Sequence, residues 1–133
     1  MGDGVCLYNF LKTLPIDLTI YNVGAVFSIA TIAYLGAKKR KTSTRAVFGL
    51  HSTTITPQGA TSASLEATTK TLILDDARTQ SILRDHVALS DEQWTALRSN
   101  RELVFSGEEA INLGIAHEIG EFSPPKGVQI FNI

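Results

Sequence analysis

The sequence predicts an α/β domain: a short, largely parallel sheet with flanking helices and one long, protruding helix. Three observations carry that expectation. Short β-branched or apolar stretches alternate with helix-period stretches, the pattern of strand–helix crossovers. One helical pattern, Ser64 to about Val87, is much longer and more polar than the others. Finally, 133 residues with 44% apolar side chains are enough for one domain with its own core. A chain of this size buries roughly two-thirds of its unfolded surface.

The elements follow in order. Val5 to Leu14 places Val5, Leu7, Tyr8, Phe10, Leu11 and Leu14 near a helical period, so a helix is predicted, stopping before Pro15. Asp17 to Asn22 is β-branched and aromatic and predicts a short strand. Gly24 marks a turn, and Ser28 to Ala37 predicts a buried helix closed by Gly36. The run Lys38-Lys39-Arg40-Lys41 then reads as a solvated turn. Arg45 to Leu50 predicts a second strand leading straight into His51, and Ser52 to Ser62 is a loop broken by Pro57 and Gly59.

In the long helical pattern, Leu65, Leu72, Ile73, Ala77, Ile82 and Leu83 form an interrupted apolar face. Such a helix projects from the body or packs on a partner. Ser90-Asp91-Glu92-Gln93 is a capping box that opens a short helix through Leu97. Ser106-Gly107-Glu108-Glu109 is a second, with Gly114 as its stop. Ile115 to Ile119 and Val128 to Ile133 read as closing strands around Pro124-Pro125.

Composition excludes several classes. Twelve basic against thirteen acidic residues leave a net charge of −1, which argues against a dedicated nucleic-acid binder. The single cysteine, Cys6, excludes an internal disulfide framework and a multi-cysteine zinc site. No dinucleotide fingerprint, phosphate-binding glycine loop or H-E-x-x-H motif is present, so no cofactor and no metal are expected. Val23 to Ala37 with its basic flank has the look of a membrane segment. It is shorter than the ~20 residues a bilayer core requires and is interrupted by Ser28 and Thr31. With no basic-then-apolar leader at the N-terminus, a soluble, cytoplasmic protein is expected.

Chemistry concentrates at two positions. Ser28 stands where a strand and a glycine-containing turn hand over to a helix, so nearby amides can meet a developing oxyanion. The amide of the following residue, Ile29, is the natural donor. His51 ends a strand at a loop boundary, where sites form in parallel sheets. Any downstream acidic residue could be the third member. Each residue also has a plain structural role open to it, Ser28 as a helix cap and His51 as a satisfied polar group. His86 and His117 read as structural.

The order of these pieces resembles the Clp protease proteolytic subunit family. Gly24-Ala25-Val26-Phe27-Ser28-Ile29-Ala30, the strand Ala46-Val47-Phe48-Gly49-Leu50-His51, and the late Ser106-Gly107-Glu108-Glu109-Ala110 to Gly114-Ile115 carry the resemblance. Leu7-Tyr8-Asn9-Phe10-Leu11 and Leu14-Pro15 extend it, so it covers nearly the whole chain. It implies a ClpP/crotonase-like fold and a serine-type endopeptidase subunit. Ser28 then matches the nucleophile, His51 the general base, and the Ile29 amide an oxyanion donor. Glu102 falls where the family usually has its aspartate, whereas Glu108 and Glu109 read as first-turn helix charges.

The resemblance also implies partners. The substrate would be a peptide or unfolded protein, the helix over 64–87 would build a homo-oligomer with an enclosed chamber, and an ATP-driven unfoldase would feed it. No nucleic acid or membrane partner is implied. Family members carry an upstream portion with a Gly-Gly loop that gives the second oxyanion donor, and Gly2-Asp3-Gly4-Val5 resembles the end of that loop. An N-terminally short chain of this kind is expected to be weak or inactive alone, because one lost oxyanion donor costs about 10²–10³ in turnover. The alternatives are a non-catalytic structural subunit of such an assembly and an acyl-CoA enzyme of the related crotonase fold, in which the Ser28–His51 pair would have no role.

Overall fold

The computed structural model describes residues 2–124 and 126–127 of the chain. The order is α1 (Gly2–Thr13), β1 (Thr19–Asn22), β2 (Ala25–Phe27), α2 (Ile29–Tyr34), β3 (Lys39–Thr42), β4 (Val47–Leu50), α3 (Ser62–His86), α4 (Asp91–Arg98), β5 (Leu103–Ser106), α5 (Gly107–Asn112) and β6 (Glu118–Ile119). The strands form two three-stranded sheets, β1-β3-β6 and β2-β4-β5. Among the described residues every pairing is parallel except β4 with β5. The expected α/β class, largely parallel strands, flanking helices and long helix are all present.

The two sheets are joined by the chain itself. A strand–strand–helix unit runs β1-β2-α2 and then β3-β4-α3, each pair crossing from the first sheet to the second. Asn22 makes the first crossing possible. It is 1% exposed, and its amide nitrogen donates to the Val47 carbonyl while its Oδ1 accepts from the Gly24 amide. A buried amide bonded at both ends fixes a corner that an apolar residue would leave with unpaired backbone groups.

Four expectations need correction. Ala25–Phe27 is a strand of its own rather than part of the turn at Gly24, because it pairs with β4 across Ala25↔Val47 to Phe27↔Gly49. Leu103–Ser106, for which no strand was expected, pairs antiparallel with β4. The closing strand expected over Ile115 to Ile119 is only Glu118–Ile119, since Ile115 and Ala116 are held by the Ala110 carbonyl at the end of α5. The basic run is strand β3, not a solvated turn. The strand expected at Val128 to Ile133 lies outside the described residues.

Arg40 explains that last reversal. It is buried, with Nε donating to the Ile115 carbonyl at 2.8 Å, Nη1 to Ala37 at 3.2 Å and Nη2 to Gly114 at 3.1 Å. The guanidinium thus ties the end of the α2 turn to the end of α5 through carbonyls that would otherwise be buried without donors. Burial holds its basicity below the ordinary arginine value, opposed by the Tyr34 phenol nearby. Tyr34 donates to the Lys41 carbonyl at 2.7 Å and packs its ring on Phe48, 5.2 Å between centroids. Desolvation there raises the phenol above its usual range.

Around this lies the core of Phe48, Leu35, Ile115, Leu50, Trp94 and Leu97. Helix α1 approaches α2 so closely that a Cβ on Gly4 would lie 2.1 Å from Ile29 Cγ1. Only the C-terminal part of α3 joins the core, through Ile82 and Leu83. Leu65, Ile73 and Leu74 farther up the helix are exposed. Among the described residues no helix is long and apolar enough to cross a membrane.

The Arg40→Met variant keeps the apolar stem but leaves several buried carbonyls without donors. It is expected to lose about 2–4 kcal/mol of stability. The check is a denaturant titration, with a lower midpoint and an unchanged slope.

Candidate active site

Ser28 sits between β2 and α2 with φ 58° and ψ −130°. A left-handed φ at a non-glycine residue costs about 1–3 kcal/mol and persists only where neighbours impose it. Here the neighbours are identifiable. The Ser28 amide donates to the Gly49 carbonyl at 2.9 Å. The fully buried Thr31 hydroxyl lies 3.1 Å from both the Val26 and the Gly49 carbonyl oxygens, pinning the first turn of α2 to β2 and β4 together. Gly49 must lack a side chain, because a Cβ there would meet the Phe27 ring at 2.1 Å. The Ser28 side chain makes no capping bond to α2, so its role as an ordinary helix cap is not realised.

His51 follows β4 directly and is exposed. Its Nδ1 lies 2.7 Å from the Ser52 carbonyl oxygen. A carbonyl can only accept, so the proton is on Nδ1, and in the neutral ring Nε2 is left as the acceptor. That is the tautomer a general base requires.

Ser28, Ile29 and His51 line one hollow of about 30 Å3, closed by Ile32, Leu50, Leu83 and Leu97. Such a space holds a water or two, so a polymeric substrate would lie across its mouth. The imidazole bonds to Ser52 and not to Ser28 here. Catalytic hydrogen bonds are often long without substrate and tighten when it binds.

Glu102 is placed differently. The β4–β5 register ends at Leu50↔Leu103, so His51 and Glu102 are the next positions out, just beyond the paired ends of the two strands. Glu102 nevertheless lines a separate hollow with Glu92, Gln93 and Arg101. Glu109 bonds back to the Ser106 amide and hydroxyl, which holds its carboxyl below the usual range and completes the capping box. Asp76 carries no mark in the sequence beyond its place in the long helical pattern. It reaches the Ser28–His51 hollow from α3 and accepts from the Thr53 amide at 2.9 Å. Thr31 was visible only as a polar interruption. Neither has a sequence signal, since each acts across elements.

The other histidines are structural. Lys12 donates to the Tyr8 hydroxyl, leaving the phenolic hydrogen for His86 Nε2 at 2.9 Å. His117 Nδ1 accepts from the Arg40 amide. Among the described residues no His, Cys, Asp or Glu cluster could hold a metal ion.

Ser28, at positive φ in a strand-to-helix turn, shares its hollow with His51, and the chain is an α/β protein with a candidate site at that turn. The Clp protease family model matches residues 1–123, and the chain belongs to that family. Membership makes it a Clp-type peptidase or a related subunit. No curated protein matches the chain.

Burial and the charges of Arg40 and Lys12 hold His86 below the ordinary histidine value, and burial and Arg40 do the same for His117. Between that lowered value and about 6.5 the unfolded chain binds protons that the folded chain refuses, so stability falls as pH drops through this window. Thermal melts from about pH 7 downward should show the decline, and His86→Gln should make it shallower.

Proposed function

We propose that the chain is a serine-type endopeptidase subunit that hydrolyses peptide bonds of unfolded polypeptides within an oligomeric chamber. The observation that carries this reading is Ser28, held at positive φ in the hollow it shares with His51, whose Nδ1 is bonded to the Ser52 carbonyl. In the proposed cycle His51 Nε2 takes the Ser28 proton as Oγ attacks the peptide carbonyl. The Ile29 amide meets the oxyanion. The imidazolium protonates the leaving amine, and water then cleaves the acyl-enzyme with the same histidine as base. Glu102 is proposed as the acid that stabilises the imidazolium from its place just before β5.

A fluorophosphonate probe tests these roles. Ser28→Ala should abolish labelling. His51→Ala should slow it by about 10²–10⁴, the range of general-base catalysis. Glu102→Gln should slow it less. Unlabelled wild-type chain that is folded would overturn the reading.

The location of Glu102 in another hollow favours one second reading, a non-catalytic subunit that builds the assembly. The same probe separates the two.

The exposed Leu65, Ile73 and Leu74 on α3 support assembly of copies through this helix, with an ATP-driven unfoldase as the proposed partner. Placing charges there with Ile73→Asp and Leu74→Asp should convert the oligomer to smaller species in sedimentation velocity. A monomeric wild type would contradict assembly through α3.

A further inference from the structure

We infer that Asp76 is a positioning residue for His51, acting through the backbone of Ser52 and Thr53. The inference rests on the proposed role of His51 as general base. The group that orients a triad histidine is ordinarily a carboxylate on Nδ1. In this chain the Nδ1 partner is the Ser52 carbonyl at 2.7 Å. His51 is exposed, so this carbonyl must compete with water for the Nδ1 proton. It succeeds only if the segment carrying it is held still.

Two bonds hold it. The Ser52 hydroxyl donates to the Leu97 carbonyl near the end of α4 at 2.7 Å. The Thr53 amide donates to Asp76 Oδ1, on α3, at 2.9 Å. The adjacent carboxylate, Asp75, is engaged by Arg78, which leaves Asp76 free for Thr53. The Ser52 carbonyl belongs to the same peptide unit as the Thr53 amide. Because that unit is planar, fixing the amide fixes the direction of the carbonyl. Asp76 therefore aims the acceptor that keeps the proton on Nδ1 and leaves Nε2 as the acceptor of the ring, and Asp76 and His51 both line the Ser28 hollow. This couples the proposed base to the placement of α3, the helix proposed to assemble the subunits.

The test reads the tautomer directly, by long-range proton–nitrogen NMR of 15N-histidine-labelled chain. His51→Gln assigns the signal, and circular dichroism confirms folding. The wild type is expected in the Nδ1–H form. Asp76→Ala should shift His51 toward the Nε2–H form and slow fluorophosphonate labelling by at least about tenfold, the direction of loss that a wrong tautomer causes in a serine triad. Asp76→Asn keeps an accepting oxygen and should restore both. Ser52→Ala, which removes the other tether, should repeat the shift if Asp76→Ala does not fold. Glu102→Ala should leave the tautomer unchanged.

A wild type in the Nε2–H form, or a folded Asp76→Ala chain that keeps Nδ1–H, would overturn the inference; where Asp76→Ala does not fold, a Ser52→Ala chain that keeps Nδ1–H would do so. A chain with the expected tautomers but no adduct on Ser28 would support the clamp and overturn the peptidase reading, so the two failures are distinguishable.

Discussion

The Gly49 carbonyl is the contact on which the candidate site depends. It accepts from the Ser28 amide and from the Thr31 hydroxyl, so one oxygen in β4 fixes both the strained serine and the first turn of the helix after it. The same residue must be glycine, because the Phe27 ring occupies the place of its side chain. The strand partner of Gly49 is Phe27, so backbone pairing, ring packing and serine strain are set at a single rung. His51 lies two residues farther along the chain, just past the end of β4, and its position is inherited from that rung.

The rest of the fold keeps β4 in place. Asn22 turns the chain from the first sheet into the second, and Arg40 fastens the first sheet to the loop after α5. Both are polar groups taken out of water, and both are acceptable only because their hydrogen-bonding capacity is met by backbone. The strained residue is affordable at Ser28 because these buried networks leave the β2–β4 corner no freedom to relax.

What was legible in the sequence was local. The capping boxes at Ser90 and Ser106 formed as expected, since both partners lie within one turn. Gly114 stops α5 with φ +82°, the conformation that favours glycine. Ser28 and His51 could be singled out because each sits at an element boundary that its neighbours mark. Arg40 is buried in β3, although a run of four basic residues has the composition of a solvated turn. Its burial depends on carbonyls at Gly114 and Ile115, which sequence pattern cannot bring together. Strand β5 was missed because it is short and runs directly into a capping box. Asp76 was hidden within a long polar helix, and only the path of the loop after His51 shows what it holds.

The central claim is that folding makes Ser28 reactive. The direct measurement is peptide mapping by mass spectrometry after phosphonate treatment of folded and of denatured chain. The expected result is one adduct, on Ser28, in the folded sample, and none in the denatured one, where the strained turn and the hollow shared with His51 are gone. A folded chain without the adduct, or labelling that survives denaturation, would contradict the claim.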